Sequence, residues 1–485
     1  MTRHFGMFQF REGISNFNFV LFLFLLSGQC TFAQNSKTEK PNFVIIFTDD
    51  QGYGDLGCFG NPNLKTPNID KMARNGMKLT SFYVAASLCT PSRAALMTGS
   101  YPKRVDMATG SKFPVLLAAD SKGLNPNEIT VAEILKKQGY TTGIFGKWHL
   151  GDQPEFLPTQ QGFDEFFGVP YSHDIHPYHP RQEHFNFPPM PLMEGKKVIE
   201  LNPDANRLTF RITNRATRFI EQNKDRPFFL YIPHILPHHP IQVSEKFMKG
   251  VNDSIKKVLF LENDNIDYTT RGSLYPQAIE EIDWSVGQIL DKLKKLKLLE
   301  NTFVIFTSDN GPDRAYNSIP LGSAGPLRGR KGSAFEGGMR EPTVMYWPGV
   351  LPAGETNDEL MTTMDLLPTF AKLTRAELPN DRKLDGKDIM PTLLGKDKSP
   401  YECFFYYSQN DLKAVRSGKW KLHVKKNRPE ELYDLNKDIG ELDNVLDQNP
   451  EISKRLLNQI YQFKKELDLN SRAAGFVDNP VALKK

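Results

Sequence analysis

The segment from residue 87 to residue 99 contains the side chains most able to do chemistry. Cys89 lies two residues before Pro91 and four before Arg93. Proline is favoured in the first turn of a helix, so we predict Cys89 at or just before a helix N-terminus, where free amides and the dipole favour an anionic group. Arg93 adds a charge that persists at physiological pH. An isolated cysteine is usually a buried structural thiol, but this position favours a reactive site.

Two pairs of oxygen-bearing side chains form a second group. Asp49-Asp50 and Asp309-Asn310 each follow a largely apolar run. Their oxygens are hard ligands, which suit Ca²⁺ or Mg²⁺ rather than a thiolate-binding metal. A lone Asp-Asp after a strand is more often a turn or a helix cap. From these residues alone, both interpretations stay open.

Alternating patterns indicate the elements that must position these residues. Apolar runs bounded by turn residues indicate buried parallel strands at 42–48, 141–145, 228–232 and 303–307. Helical patterns lie between them, at 69–75, 130–138, 207–222 and 277–298. This alternation predicts an α/β fold with a mostly parallel central sheet flanked by helices. Ligands collect at the carboxyl ends of such strands, where both oxygen-bearing pairs, Lys147 and His149 are expected.

The pattern changes after about residue 376. Residues 378–381, Leu-Pro-Asn-Asp, indicate a boundary, and short strand-like runs at 403–407 and 420–424 precede a helical pattern at 452–467. These runs predict a small antiparallel sheet with a closing helix. We therefore expect a catalytic domain over residues 34–378 and a small C-terminal α+β subdomain over residues 379–485.

The N-terminus has the order of a secretory signal. Arg3 and Arg11 precede an apolar run at 17–26, and small residues lead to Ala33. The run is too short to span a bilayer comfortably, so we predict a signal peptide over residues 1–33, cleaved after Ala33, and a periplasmic or secreted product without stable membrane insertion. A lipoprotein anchor at Cys30 is disfavoured, because the preceding glutamine is not the small residue that a lipobox needs.

Charge and cysteine content restrict the partners. The formal net charge of the 485 residues is only +4, which does not indicate a nucleic-acid-binding protein. Export would leave Cys58, Cys89 and Cys403, an odd number in an oxidising compartment. A disulfide between Cys58 and Cys403 stays an open alternative.

The cysteine segment resembles the Cys-x-Pro-x-Arg motif of type I sulfatases, a family of the alkaline phosphatase superfamily. Residues 146–151, Gly-Lys-Trp-His-Leu-Gly, and residues 325–333 are also similar to family segments, and residues 162–174 resemble the arylsulfatase A branch. The resemblance covers most of the exported chain and implies an alkaline phosphatase-like fold. It also implies that a maturation enzyme oxidises Cys89 to formylglycine, an aldehyde that hydrates to a geminal diol.

The resemblance further implies the site residues. The implied catalytic residues are Cys89, Arg93, Lys147, His149, His238 and Lys331. The implied ligands of a single Ca²⁺ are Asp49, Asp50, Asp309, Asn310 and the oxygenated form of Cys89. Ser172 and His173 are placed near the substrate, although a structural role for them is equally open.

A mechanism follows from these roles. The metal and Arg93 would hold the nucleophilic oxygen, while the two lysines neutralise charge on the sulfate. His238 would protonate the departing alcohol, and His149 would take the proton that allows sulfate to leave.

The expected activity is hydrolysis of sulfate esters on a sulfated polysaccharide or its oligosaccharides, for which an algal glycan is one source. The signal and the His-rich, aromatic stretch 171–187 favour such an extracellular substrate. The alternatives are a small-molecule arylsulfatase, a phosphoester or phosphonate hydrolase of the same superfamily, and a non-catalytic binder of sulfated glycans. Cysteine in place of a serine or threonine nucleophile favours sulfate, and the intact set of charged residues argues against a decayed site.

Overall fold

The computed structural model describes residues 40–256, 268–313 and 321–485. The predicted signal peptide, with Cys30 and Ala33, lies outside the described residues, as do residues 257–267 and 314–320. Secretion therefore stays a prediction.

The strands, in chain order, are β1 (Asn42–Thr48), β2 (Met77–Leu79), β3 (Phe82–Tyr83), β4 (Lys122–Gly123), β5 (Thr141–Lys147), β6 (Glu165–Val169), β7 (Pro191–Glu194), β8 (Lys197–Leu201), β9 (Phe228–Pro233), β10 (Thr302–Ser308), β11 (Thr343–Tyr346), β12 (Glu355–Asn357), β13 (Met361–Thr362), β14 (Phe404–Ser408), β15 (Asp411–Ser417), β16 (Trp420–Lys425), β17 (Arg428–Asp434) and β18 (Gly475–Phe476). The α-helices are α1 (Pro67–Asn75), α2 (Cys89–Thr98), α3 (Val131–Lys137), α4 (Gln182–Phe185), α5 (Leu208–Gln222), α6 (Tyr268–Gly272), α7 (Tyr275–Lys295), α8 (Glu336–Met339), α9 (Leu366–Thr374), α10 (Met390–Leu393) and α11 (Pro450–Leu469).

A ten-stranded mixed sheet carries the site. Its strand order is β12-β2-β11-β10-β1-β9-β5-β6-β7-β8. The central strands β10, β1, β9, β5 and β6 are parallel, and antiparallel neighbours such as β11 and β7 flank them. The predicted α/β fold with a mostly parallel sheet is thereby confirmed.

Burial on both faces explains why the central strands read as continuous apolar runs. Along β1, Val44 and Ile46 pack into one hydrophobic core, and Phe43, Ile45 and Phe47 pack into another. This is the alternation that a strand produces, with successive side chains on opposite faces. Helices α1, α5 and α7 contribute to the first core, and α2, α3 and α9 contribute to the second.

A second, smaller sheet follows the first one. Strands β14, β15, β16 and β17 form it in sequence order, all antiparallel, and α11 packs on it. This confirms the predicted C-terminal sheet with its closing helix. A third core joins Tyr83 and Ala95 to Phe404 and Tyr406 of this sheet, and residues 40–485 form one compact unit. The domain boundary at residue 378 stays a prediction.

Some elements were not predicted. Strands β15 and β17 mix polar and apolar residues, and the short strands β2 and β12 have three residues each. None of these four strands has a strong apolar run. Within the described residues, Cys58 and Cys403 are free thiols. A search of the same residues finds no helix with the length and apolarity that a bilayer crossing requires.

Candidate active site

The parallel sheet brings the predicted metal ligands together at the carboxyl ends of its strands. Strands β1 and β10 pair in register from Asn42–Thr302 to Thr48–Ser308, so Asp49-Asp50 and Asp309-Asn310 leave the sheet side by side. The Asp50 amide donates to Asp309 Oδ1 at 3.1 Å, and Asn310 Nδ2 donates to Asp50 Oδ1 at 2.7 Å. All four side chains are buried. Residues 259 positions apart in the chain therefore form one cluster of oxygen atoms.

This cluster fits a hard divalent cation. Among the described residues, the buried atoms Asp49 Oδ1 and Asn310 Oδ1 have no hydrogen-bond partner. An orphaned buried oxygen is costly, and metal coordination would satisfy it. Ligand atoms of Asp49, Asp50 and His238 lie within 4.8 Å of one another. The donor set, carboxylate and amide oxygens, suits Ca²⁺ or Mg²⁺.

Three cations surround the carboxylates. Lys147 Nζ lies 2.7 Å from Asp49 Oδ2, Lys331 Nζ lies 2.7 Å from Asp50 Oδ2, and Arg93 Nη2 lies 2.7 Å from Asp309 Oδ2. Burial alone would raise the pKa of Asp49, but Lys147 and the other nearby cations outweigh it and lower that pKa well below its usual value. Burial, reinforced by neighbouring carboxylates, raises the pKa of Asp50 well above its usual value. The crowding of like charge pushes the two values apart.

Cys89 is the first residue of α2, as predicted, and only 3% of it is exposed. Burial raises the pKa of its thiol to about 11, although Lys147 and Lys331 oppose the shift. The unmodified side chain is therefore a neutral thiol at neutral pH. The carbonyl of Ser87, two residues before Cys89, accepts a hydrogen bond of 2.8 Å from the Gly332 amide. This bond connects the cysteine segment to the loop that carries Lys331.

The two predicted catalytic histidines are held in different ways. His149 Nε2 lies 2.8 Å from the Leu116 carbonyl, so this nitrogen carries the proton and Nδ1 is the basic atom. His238 Nδ1 lies 2.5 Å from the His239 carbonyl, and its Nε2 lies 3.5 Å from Asp50 Oδ2. For His238, Nε2 is therefore the atom that can exchange a proton with a ligand.

Backbone strain marks two site residues. Asp50 has φ 65° and His149 has φ 63°, in the left-handed region that non-glycine residues seldom adopt. Both follow strands of the central sheet and are held by backbone hydrogen bonds, Asp50 to Asp309 and His149 to the Pro170 carbonyl. Such conformations cluster at functional sites, where surrounding structure enforces them.

A cavity of about 430 Å³ opens onto these groups. Cys89, His149, His238 and Lys331 line it, together with Ser172. Ser172 Oγ accepts from Lys147 Nζ at 3.2 Å. His173 is not among the residues that line this cavity; its Nε2 lies 3.0 Å from the Pro240 carbonyl and its ring packs 5.7 Å from that of His238. Of the two predicted substrate-binding residues, only Ser172 reaches the cavity.

Sequence reasoning missed three carboxyl groups near the site. Asp313 Oδ2 lies 3.0 Å from Lys331 Nζ, and Asp174 lines the cavity. Glu341 is fully buried, and burial, then Asp309 and Asp50, raises its pKa well above the usual value. Asp313 could have been found, since it follows the Asp309-Asn310 pair in the same loop. Nothing in the sequence distinguishes Asp174 or Glu341 from ordinary acidic residues.

Comparison with known proteins agrees with this geometry. The family model described as Sulfatase matches residues 41–376, and the model described as N-sulphoglucosamine sulphohydrolase, C-terminal, matches residues 330–466. Arylsulfatase A of Homo sapiens is 39% identical over 479 residues, which cover 89% of each chain. N-acetylgalactosamine-6-sulfatase of Mus musculus is 39% identical over 401 residues, which cover 80% of this chain and 72% of the relative.

A solved structure extends the likeness to three dimensions. Ps i-CgsB superposes with a TM-score of 0.74 at 30% identity, covering 90% of this chain and 94% of its own, and it has also been solved in complex with k-i-k-neocarrahexaose. The family match spans more than half of the chain, and the relatives cover most of it. The chain therefore belongs to the sulfatase family and is a sulfuric ester hydrolase.

Proposed function

We propose that this enzyme removes sulfate from a sulfated polysaccharide or its oligosaccharides, with Cys89 converted to formylglycine and one Ca²⁺ at the oxygen cluster. The observation that carries the proposal is that Cys89 and Lys331 line one cavity, while Lys331 and Lys147 contact Asp50 and Asp49 of the oxygen cluster. The proposed metal ligands are Asp49, Asp50, Asp309, Asn310 and the modified residue 89. A sugar substrate is supported by Ps i-CgsB, which is similar to this chain and binds a neocarrahexaose.

The proposed cation and the modified cysteine would each supply one kind of chemistry. A bound divalent cation would stabilise negative charge on the sulfate oxygens, and the hydrated aldehyde would supply the attacking oxygen. Both fit the residues present, because the orphaned oxygens of Asp49 and Asn310 suit a hard cation and Cys89 begins the motif that family maturation enzymes modify.

The residues of the chain divide the remaining work. Lys147 and Lys331 bind the sulfate oxygens and neutralise the charge that grows on them. Arg93, paired to Asp309, keeps the start of α2 and the end of β10 in one geometry. His238, doubly protonated before the step, gives its Nε2 proton to the departing sugar oxygen, and His149 takes a proton at Nδ1 when sulfate leaves. A His acid or base contributes roughly a hundredfold to ten-thousandfold to the rate.

The proposal also includes how the protein matures and where it is located. Conversion of Cys89 requires a maturation enzyme as a partner. We propose that residues 1–33 direct export to the periplasm or beyond, where a soluble sulfatase meets extracellular glycans.

One experiment tests the proposal. Protein matured with its activating enzyme and supplied with Ca²⁺ is assayed for sulfate release from k-i-k-neocarrahexaose, N-acetylgalactosamine-6-sulfate and 4-nitrophenyl sulfate. Peptide mass spectrometry across residue 89 verifies conversion, and Cys89→Ala is the control. Release from a sugar by the converted protein alone is the expected result. Release only from 4-nitrophenyl sulfate would favour a small-molecule arylsulfatase, and no release after full conversion would overturn the activity.

A further inference from the structure

The cavity continues from the charged residues to an aromatic wall that the mechanism does not use. Phe113, Phe185 and Phe187 line it. The rings of Phe113 and Phe185 meet edge to face with centroids 5.7 Å apart, and Phe185 stacks on Phe187 at 4.7 Å. Phe113 is 37% exposed. An exposed aromatic ring that packs against a second ring inside a cavity is a surface on which a ligand can stack.

The same cavity contains a carboxylate oxygen without a partner. Asp174 lines the cavity, and among the described residues its buried Oδ1 accepts no hydrogen bond. The ligand atoms of Asp174, His238 and His239 lie within 4.8 Å of one another, so Asp174 is next to the histidine assigned to the leaving group. A buried unpaired acceptor costs about 1–3 kcal/mol, and a donor on the substrate would remove that cost.

We propose that Asp174, Phe113 and Phe185 form a subsite for the sugar ring that bears the scissile sulfate. This inference rests on the proposed function and names the part of the substrate that the subsite binds. A pyranose ring has a face of C–H groups, which packs against an aromatic ring, and hydroxyl groups at its edge, one of which donates to Asp174 Oδ1. An aryl sulfate has no such hydroxyl.

The consequence is selectivity for sugars over aryl sulfates. A site built to accept a hydrogen bond from a substrate hydroxyl disfavours analogues without it, because its own polar group is then left unpaired. The subsite lies beside His238, so filling it also fixes the distance between the sugar oxygen and the proton donor.

Kinetics of substituted enzymes test the subsite. Asp174→Leu, which removes both acceptor oxygens, Phe113→Ala and the control Phe210→Ala are compared, each with residue 89 converted and Ca²⁺ present. Phe210 is 41% exposed and stacks on Trp284, and it does not line the cavity. We expect the ratio of kcat/KM for a sugar sulfate to kcat/KM for 4-nitrophenyl sulfate to fall at least tenfold for Asp174→Leu and three- to tenfold for Phe113→Ala, chiefly through KM for the sugar. Phe210→Ala should keep the wild-type ratio. Equal losses on both substrates, or no loss, would overturn the subsite.

A binding measurement separates this inference from the activity. Calorimetric titration of Cys89→Ala with the two sugar probes, with and without Asp174→Leu, needs no turnover. At least tenfold weaker binding after Asp174→Leu supports the subsite even if converted protein releases no sulfate, a result that would overturn only the proposed activity. Turnover of 4-nitrophenyl sulfate with no sugar bound or hydrolysed would overturn the subsite and leave the sulfatase activity intact.

Discussion

Arg93 Nη2 lies 2.7 Å from Asp309 Oδ2, and neither side chain is exposed to solvent. Arg93 Nε also donates to this oxygen at 3.1 Å, and Nη1 donates to the Lys147 carbonyl at 3.0 Å. One guanidinium thus joins the first turn of α2 to the ends of β10 and β5. These are the three segments that carry the proposed nucleophile, two metal ligands and one sulfate-binding lysine.

Removal of this arginine should destabilise the fold as well as the site. Arg93→Ala leaves Asp309 as an uncompensated buried charge, and breaking a buried ion pair costs about 3–5 kcal/mol. We expect the free energy of unfolding, measured by urea denaturation, to fall by that amount. Lys413→Ala, which removes a pair to Asp411 with side chains 43% and 74% exposed, should change it by less than about 1 kcal/mol. Similar losses for both variants would contradict the prediction.

Metal binding should be visible in thermal stability without any assay of turnover. Dialysis against a chelator should lower Tm, and Ca²⁺ should restore it, because an ion that binds only the folded state stabilises it by about 2.7 kcal/mol at a hundred times its Kd. Asp49→Asn should lose this response, since it removes a carboxylate from the oxygen cluster. Asp225→Asn changes an exposed aspartate outside the site and should retain it. A Ca²⁺ response that survives Asp49→Asn would count against the proposed ligand set.

Glu281 should make stability decrease as pH rises. Burial raises its pKa to about 7, from an ordinary value of 4.5, although the amide and hydroxyl of Ser244 donate to it. Between pH 4.5 and 7 the folded state therefore binds more protons than the unfolded state. The stabilisation from protonated Glu281 is complete below the unfolded pKa of 4.5 and is lost as the pH rises to the folded pKa of about 7. The loss is on the order of 3 kcal/mol.

A single substitution isolates this effect. Glu281→Gln keeps an oxygen for the Ser244 amide but cannot ionise. Urea unfolding of both proteins from pH 4.5 to 8 should show a shallower decline for the variant, so that the wild type loses stability relative to it as pH rises. Parallel pH profiles would show that Glu281 does not titrate in this window.

Lys421 should be essential to the junction between the two sheets. Its Nζ lies 2.9 Å from both Glu336 Oε1 and Glu441 Oε1, and none of the three side chains is exposed. Lys421→Met would leave two buried carboxylates facing each other, so we expect a loss of about 3–5 kcal/mol in urea unfolding. Lys419→Met removes a partly exposed pair with Asp434 from the same hairpin and should cost less than about 1 kcal/mol.

The same junction also supports the loop that carries Lys331. Glu336 begins α8, five residues after Lys331, and its amide donates to Glu441 at 2.7 Å. Lys421→Met should therefore also raise KM for sulfate esters, because Lys331 loses its support, whereas Lys419→Met should not. An unchanged KM in Lys421→Met protein that remains folded would show that the loop is held independently.

The periodicity of apolar residues and the residue types are sufficient to predict the central strands and helices from the sequence. Strands β1, β5, β9 and β10 were predicted because their burial on both faces requires uninterrupted apolar residues. The alternation with helices then indicated the parallel sheet, and a cysteine followed by Pro91 indicated the start of α2. The shortest strands could not be predicted, because an alternation of polar and apolar residues cannot be recognised over two or three positions.

The sequence by itself determined which groups are available for chemistry: Cys89 before a helix, two pairs of hard oxygen ligands after apolar strands, and the motifs shared with sulfatases. Tertiary structure decided which of them meet. Registered pairing of β1 with β10 sets Asp50 against Asp309 across 259 residues, and loop packing brings Ser172 but not His173 to the cavity. The buried Asp174 oxygen that accepts no hydrogen bond and the contact between Phe113 and Phe185 could be recognised only from the tertiary structure. Contact between distant segments depends on strand register and loop packing, which leave no local signature in the order of residues.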